Sequence, residues 1–114
     1  MTRLLPAVFA LGALAAAAAS DDWRPVDVTL EPTRSTESCM QIDAGDKRRY
    51  QWKSDAPVDF NIHYHSGAEI LYMVKHDGMR GDGGTFVAKE GGGYCWMWTA
   101  RDKRAKIEGR LEVR

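Results

Sequence analysis

Apolar and polar residues alternate along most of the chain beyond residue 20, as they do in β-strands with one buried face. In the clearest segment, 58–64, every second side chain is apolar and the residues between them are polar. The pattern predicts about seven short strands. The apolar positions that define them are Val26, Val28 and Leu30, then Tyr50 and Trp52, Val58 to Tyr64, the run 69–75, Phe86 and Ala88, Tyr94 to Trp98, and Ala105 to Val113.

Glycine-rich segments separate these predicted strands and indicate turns. They are Ser66-Gly67, Asp77-Gly78, Gly81 to Gly84, and Gly91 to Gly93. No segment after residue 20 has the 3.6-residue apolar period of an amphipathic helix. With 114 residues, the chain has the length of one domain. We therefore predict a single all-β domain, an antiparallel β-sandwich or jelly-roll-like fold.

The hairpin between segments 58–64 and 69–75 allows a register prediction, because a one-residue slip would turn its apolar side chains to the wrong face. A three-residue loop, Ser66-Gly67-Ala68, brings the apolar side chains of both strands onto one continuous face. It also places Glu69 directly opposite His65. A two-residue loop at Ser66-Gly67 would put polar residues opposite apolar ones, so we predict the three-residue loop.

The first 20 residues have the features of a secretory signal peptide. Arg3 provides a positive start, residues 4–19 are almost entirely apolar, and Ala17 to Ser20 are the small residues of a cleavage site. The alternative is an uncleaved membrane anchor, but the apolar run is shorter than the about 20 residues that span a bilayer. We predict a signal peptide at 1–20 and a β-sandwich domain at 21–114, exported to the periplasm or the extracellular space, with no transmembrane span after cleavage.

Cys39 and Cys95 are the only cysteines in the sequence. In an oxidising compartment we expect them to form a structural disulfide. The alternative is a pair of free thiols. Their separation is too long for a redox Cys-x-x-Cys pair, and the chain has no zinc-type cysteine spacing.

The charge balance and the motifs narrow the class of function. The 16 Lys and Arg residues balance 16 Asp and Glu residues, so the formal net charge is zero, whereas nucleic-acid binders carry a basic excess or patch. The sequence has neither a Gly-x-Ser-x-Gly nucleophile motif nor a phosphate-binding Gly-x-x-x-x-Gly-Lys loop. We therefore predict a protein that is not an enzyme and does not bind nucleic acid.

Three features between residue 38 and the end of the chain form one pattern. They are an early cysteine at Cys39, the element Gly84-Thr85-Phe86 ahead of a glycine turn, and the strand Gly93-Tyr94-Cys95-Trp96-Met97-Trp98. This layout over 38–114 resembles the GOLD-domain family, the β-sandwich of p24-type cargo proteins and related bacterial exported proteins. The resemblance implies a compact sandwich with a binding or interaction role and no defined chemistry. The partner it implies is an unidentified protein or glycan.

A second pattern, His63-x-His65-x-x-x-Glu69, brings metal-binding residue types together. Residues i and i+2 of a strand point to one face about 7 Å apart, and the predicted register places Glu69 beside His65. The pattern resembles the first metal-binding motif of cupins, which implies two imidazoles and one carboxylate around zinc or copper. The second cupin motif has no counterpart here, so the enzymes of that family are not implied. The alternative is that both histidines lie on a solvated polar face.

Two hypotheses about function follow from these observations. The leading one is a non-enzymatic exported binding or interaction module of GOLD-like type. The other is a small periplasmic metal-binding protein that uses His63, His65 and Glu69 to hold zinc or copper.

Overall fold

The computed structural model describes residues 22–114, and these residues form six strands. The predicted signal peptide, residues 1–20, lies outside the described residues. Within 22–114 there is no helix of the length and apolarity needed to cross a membrane. The strands are β1 (Trp23–Leu30), β2 (Ser35–Ile42), β3 (Lys47–Ser66), β4 (Glu69–Val87), β5 (Gly92–Ala100) and β6 (Ala105–Glu112). All strand pairings are antiparallel, which confirms the predicted all-β domain.

The six strands form one sheet, and the long hairpin of β3 and β4 is common to both of its halves. The first half of β3 pairs with β6, and its second half pairs with β5. Since β6 also pairs with β1 and β5 with β2, the strand order is β1-β6-β3-β5-β2. The register between β3 and β4 shifts between Lys53 and Val58. The two halves of β3 pack face to face across this bend, which gives a curled, sandwich-like architecture.

An aromatic cluster fills the space between the two halves. Trp52 lies before the bend of β3 and Phe60 after it, and their ring centroids are 5.2 Å apart. Trp98 of β5 packs against both rings, at 6.3 and 5.7 Å. The buried face of β5 carries the alternating aromatic residues Tyr94, Trp96 and Trp98. They are the apolar positions that define this strand in the sequence, and all three are buried.

The two outermost strands of the order also meet. A guanidinium nitrogen of Arg24, near the start of β1, donates hydrogen bonds to Ser38 Oγ at 2.7 Å and to the Cys39 carbonyl oxygen at 3.0 Å in β2. This contact connects the two halves of the curled sheet through β1 and β2, the strands at the two ends of the strand order.

The strands are longer than the apolar pattern predicts, and one strand gives no such pattern. The predicted strands at 50–52 and 58–64 are parts of the continuous β3. The predicted strand at 69–75 and the first two residues of the one at 86–88 are parts of β4, which ends at Val87. The sequence does not predict β2, because this edge strand buries only Ile42 and therefore has no run of alternating apolar residues.

The glycine-rich segment 81–84 lies inside β4 and does not form the predicted turn. A Cβ atom at Gly81 would lie 3.1 Å from the carbonyl oxygen of Trp52, and one at Gly83 would lie 3.1 Å from that of Tyr50. Glycine here allows β4 to approach β3 closely. The predicted turn at Asp77-Gly78 is also wrong, because these residues form a bulge in β4 where Gly78 has a φ of +68°.

The predicted three-residue loop of the hairpin is wrong. The strands turn through Gly67-Ala68, so that Ser66 pairs with Glu69 and His65 pairs with Ile70. Gly67 has a φ of +60°, which suits the first position of a two-residue type II′ turn. The three-residue loop is favoured in the sequence because it pairs apolar residues along an unbroken ladder between β3 and β4. In the structure this ladder skips Met73, and its register shifts there.

Candidate functional site

A disulfide and two histidines lie side by side on the outer face of the sheet formed by β2, β5 and the second half of β3. Cys39 and Cys95 are direct partners in the β2–β5 ladder and are joined by the predicted disulfide. Cys95 is also the ladder partner of His63 in β3. Cys95 faces outwards because the residues on either side of it, Tyr94 and Trp96, fill the interior.

His63 is buried although it belongs to the outer face, with 3% of its surface exposed. Its Nδ1 lies 2.8 Å from Oδ1 of Asn61. Because an amide oxygen can only accept a hydrogen bond, Nδ1 carries the ring proton and donates it. Burial lowers the pKa of His63, the Glu37 carboxylate raises it, and His65 lowers it further. The ring is therefore neutral at neutral pH, with its lone pair on Nε2.

The lone pair of His63 faces a carboxylate. Nε2 lies 3.5 Å from Oε2 of Glu37, which is on β2 two residues before Cys39 and hence on the same face. With the ring proton on Nδ1, neither Nε2 nor the carboxylate can donate a hydrogen bond to the other. Two electron-pair donors thus face the same gap, an arrangement that favours a cation between them.

His65 lies next to His63 and is exposed to solvent. The two ring centroids are 4.9 Å apart and the rings meet edge to face. Nε2 of His65 lies 3.5 Å from Sγ of Cys95, and one ring nitrogen of each histidine lies within 4.8 Å of that sulfur. The sulfurs cannot act as thiolate ligands because they are bonded to each other. The open depression beside His65 is lined by Cys39, Met40, Gln41, Gly93 and Cys95.

Glu69 lies apart from the two histidines with which the sequence grouped it. It pairs with Ser66 at the hairpin turn, one position beyond His65. Since successive residues of a strand point to opposite faces, Ser66 and Glu69 point to the face opposite His65. The structure therefore brings His63 and His65 together and leaves Glu69 out.

The carboxylate that lies near His63 is that of Glu37, not that of Glu69. It was not predicted because β2 has no apolar alternation and its pairing with β5 joins distant parts of the chain. One signal in the sequence does point to it. In Glu37-x-Cys39, the carboxylate lies two residues from a cysteine, so a strand there carries it on the same face as the predicted disulfide.

A second feature is a run of exposed apolar residues in β4 beside the hairpin turn, which we call the apolar strip (Ile70–Met73). Ile70, Leu71, Tyr72 and Met73 expose 51, 41, 57 and 43% of their surface. Among residues 22–114, β4 pairs only with β3, so its other edge presents backbone groups that no strand pairs with. The predicted continuous apolar face of the hairpin is interrupted here, because the ladder between β3 and β4 skips Met73.

Two solved structures have a similar fold over most of their length. The Yersinia pseudotuberculosis-derived mitogen matches with a TM-score of 0.62 at 9% identity, over 81% of this chain and 86% of that one. Aeromonas hydrophila PliG, described as a periplasmic inhibitor of g-type lysozyme, matches with a TM-score of 0.59 at 10% identity, over 82% of this chain and 87% of that one. At these identities the similarity shows the fold alone.

No protein-family model matches the sequence, and no curated protein matches it. The GOLD-type resemblance therefore stays a prediction, and so does the assignment of the histidines as metal ligands.

Proposed function

We propose that this chain is a non-enzymatic exported binding module that docks a protein partner on the apolar strip of β4. The observation that carries the proposal is the exposure of four consecutive apolar residues on an edge strand. Exposed apolar patches mark interaction sites in soluble proteins. Because neighbouring residues of a strand point to opposite faces, Leu71 and Met73 form one patch, and Ile70 and Tyr72 form another on the face of the histidines. An uncovered edge of this kind also invites aggregation, which a bound partner prevents.

The chemistry of the strip favours a protein over a glycan. Ile70, Leu71 and Met73 give a sugar no hydrogen bonds, and Tyr72 is the one residue of the strip with a polar group. An extended peptide can instead pair with the free edge of β4 and insert side chains beside the strip. Leu71 and Met73 line a depression between the hairpin and β5 that suits such an apolar side chain. Its remaining walls are Tyr64, Lys89, Glu90 and Tyr94.

Two further observations support export and a binding role. The disulfide is typical of proteins that act in an oxidising compartment. The fold of this chain is similar to that of PliG, which is described as an inhibitor of another protein. We also propose that the module is of GOLD-like type. The two cysteines of the GOLD-like pattern, Cys39 and Cys95 of the aromatic strand β5, form the disulfide.

The test uses two charge substitutions in the same strand. Leu71→Asp places a carboxylate in the strip, and Val87→Asp places one at the far end of β4, where Val87 is 47% exposed. The wild-type protein is used to capture a partner from the exported proteins of its host. Purified g-type lysozyme is assayed in parallel, because PliG is described as its inhibitor.

We expect the captured partner to bind Leu71→Asp more weakly by about tenfold or more, as for a residue central to an interface, and to bind Val87→Asp as it binds the wild type. Equal binding to all three proteins would contradict docking on the strip. Failure to find any partner whose binding depends on Leu71 would contradict the module itself.

A further inference from the structure

We infer that Glu37, His63 and His65 form a binding site for a divalent transition-metal ion, with Zn²⁺ as the reference ion. The site lies on the outer face beside the disulfide, and it does not depend on the proposed docking of a protein on β4. Glu37 supplies the carboxylate that the sequence pattern assigned to Glu69.

The spacing of the first two ligands fits a tetrahedral ion. Zinc binds imidazole nitrogen at about 2.0–2.1 Å and carboxylate oxygen at about 2.0–2.2 Å, so two such ligands lie about 3.4 Å apart. Nε2 of His63 and Oε2 of Glu37 are 3.5 Å apart. The ion therefore fits between them with little movement of either side chain.

Asn61 prepares His63 for this role. Histidine ligands of metals usually donate their second ring N–H to an oxygen, which fixes the tautomer and the orientation of the ring. Asn61 Oδ1 accepts from Nδ1 at 2.8 Å and so leaves the lone pair of Nε2 directed at Glu37. Because His63 is buried, its neighbours hold the ring in this orientation.

His65 provides the third ligand. Its ring lies against that of His63, and one nitrogen of each ring lies within 4.8 Å of the same sulfur. His65 groups with His63 and Cys95 but not with Glu37, so binding of the ion requires its exposed ring to turn from Cys95 towards Glu37. The depression beside His65 gives its ring access to solvent on the side of Cys39 and Cys95. A zinc site with three protein ligands completes its coordination with water.

The ligand set also selects the kind of ion. Imidazole suits zinc and copper, and Cu²⁺ binds a given nitrogen and oxygen site more tightly than Zn²⁺ does. Magnesium prefers oxygen ligands in octahedral geometry, which two imidazoles do not provide. Mg²⁺ therefore serves as the control ion.

The test is a calorimetric titration of Zn²⁺ into the protein recovered after export, free of a His-tag, with its disulfide intact and stripped of metal by a chelator. The matched variants are Glu37→Gln and Glu69→Gln, which remove one carboxylate each. We expect one Zn²⁺ per chain in the wild type and in Glu69→Gln. Loss of a residue that only orients a metal ligand weakens metal binding by about 10–100-fold. Loss of a ligand itself should weaken Zn²⁺ binding at least as much. We expect this loss in Glu37→Gln and in His65→Ala.

The substitutions are made at Glu37 and His65 because these residues are exposed, whereas replacing the buried His63 can also disturb the sheet. Circular dichroism of each variant, compared with the wild type, verifies the fold. The inference would be overturned by the absence of saturable Zn²⁺ binding, by equal binding to Glu37→Gln and the wild type, or by a loss in Glu69→Gln as large as that in Glu37→Gln. Competition by Mg²⁺ at comparable concentration would also overturn it.

Discussion

The contribution of the Cys39–Cys95 disulfide to stability can be worked out from its position. The bond joins residues 56 apart in the sequence. In the chain-entropy model, a loop of this length restricts the unfolded chain by about 4 kcal/mol at 25 °C. Cys39 is exposed and the bond lies on the outer face, so its loss opens no cavity in the aromatic core. Opening the bond should therefore cost about 4 kcal/mol, a large part of the about 5–15 kcal/mol that stabilises an ordinary domain.

Three samples separate loop closure from packing. They are the oxidised wild type, the reduced wild type and the variant Cys39→Ala/Cys95→Ala, each unfolded with urea and followed by tryptophan fluorescence. With a slope of about 1–2 kcal/mol per M, we expect the midpoint to fall by about 2–4 M in both the reduced protein and the variant. A loss below about 1.5 kcal/mol would refute the loop-closure argument. A much larger loss in the variant than on reduction would show that sulfur packing dominates.

Two further substitutions test the close approach of strands and the acid response. Gly109→Ala would place a Cβ atom 2.6 Å from Cα of Trp52, and we expect the free energy of unfolding in urea to fall by about 1–3 kcal/mol or more. The control is Gly84→Ala, whose Cβ atom would have its nearest neighbour at 3.7 Å and which should leave the free energy of unfolding unchanged. Equal losses in the two variants would contradict the close approach. Hydrogen bonds from Arg49 lower the pKa of Glu112 below its ordinary 4.5. The stability that the ion pair with Arg49 gives is complete above pH 4.5 and is lost as the pH falls through the lowered pKa of Glu112. Glu112→Gln should therefore flatten the acid part of the plot of urea midpoint against pH. An unchanged slope in the variant would contradict this role of Glu112.

The fold class could be predicted because β3 and β5 bury one face each. Their side chains alternate between interior and surface, and this alternation is visible in the sequence without any knowledge of their partners. The glycines at 81–84 misled the prediction because a glycine required for close contact between strands looks the same in sequence as a glycine required for a turn. Only the identity of the neighbouring strand distinguishes the two.

The candidate site was predicted only as far as local spacing reaches. His63 and His65 are two residues apart on one strand, so their common face follows from the geometry of a strand. The predicted register places Glu69 opposite His65 because it assumes a three-residue turn and an unbroken ladder, whereas the structure has a two-residue turn and a bulge. Glu37 was missed because its distance from His63 is set by the pairing of β2 with β5 and of β5 with β3, and local sequence does not encode either register.

The continuity of β3 through both halves of the sheet affects how the molecule opens. Neither half can separate and keep its own structure, because each contains part of the same strand. The domain should therefore unfold as one cooperative unit. The pairing of β1 with β6 also ties the first described strand to the last one. The tip of β4 is different, since it has one strand neighbour and few buried side chains. Local opening with low free energy is expected there, on the segment proposed to meet a partner, while the rest of the domain stays closed.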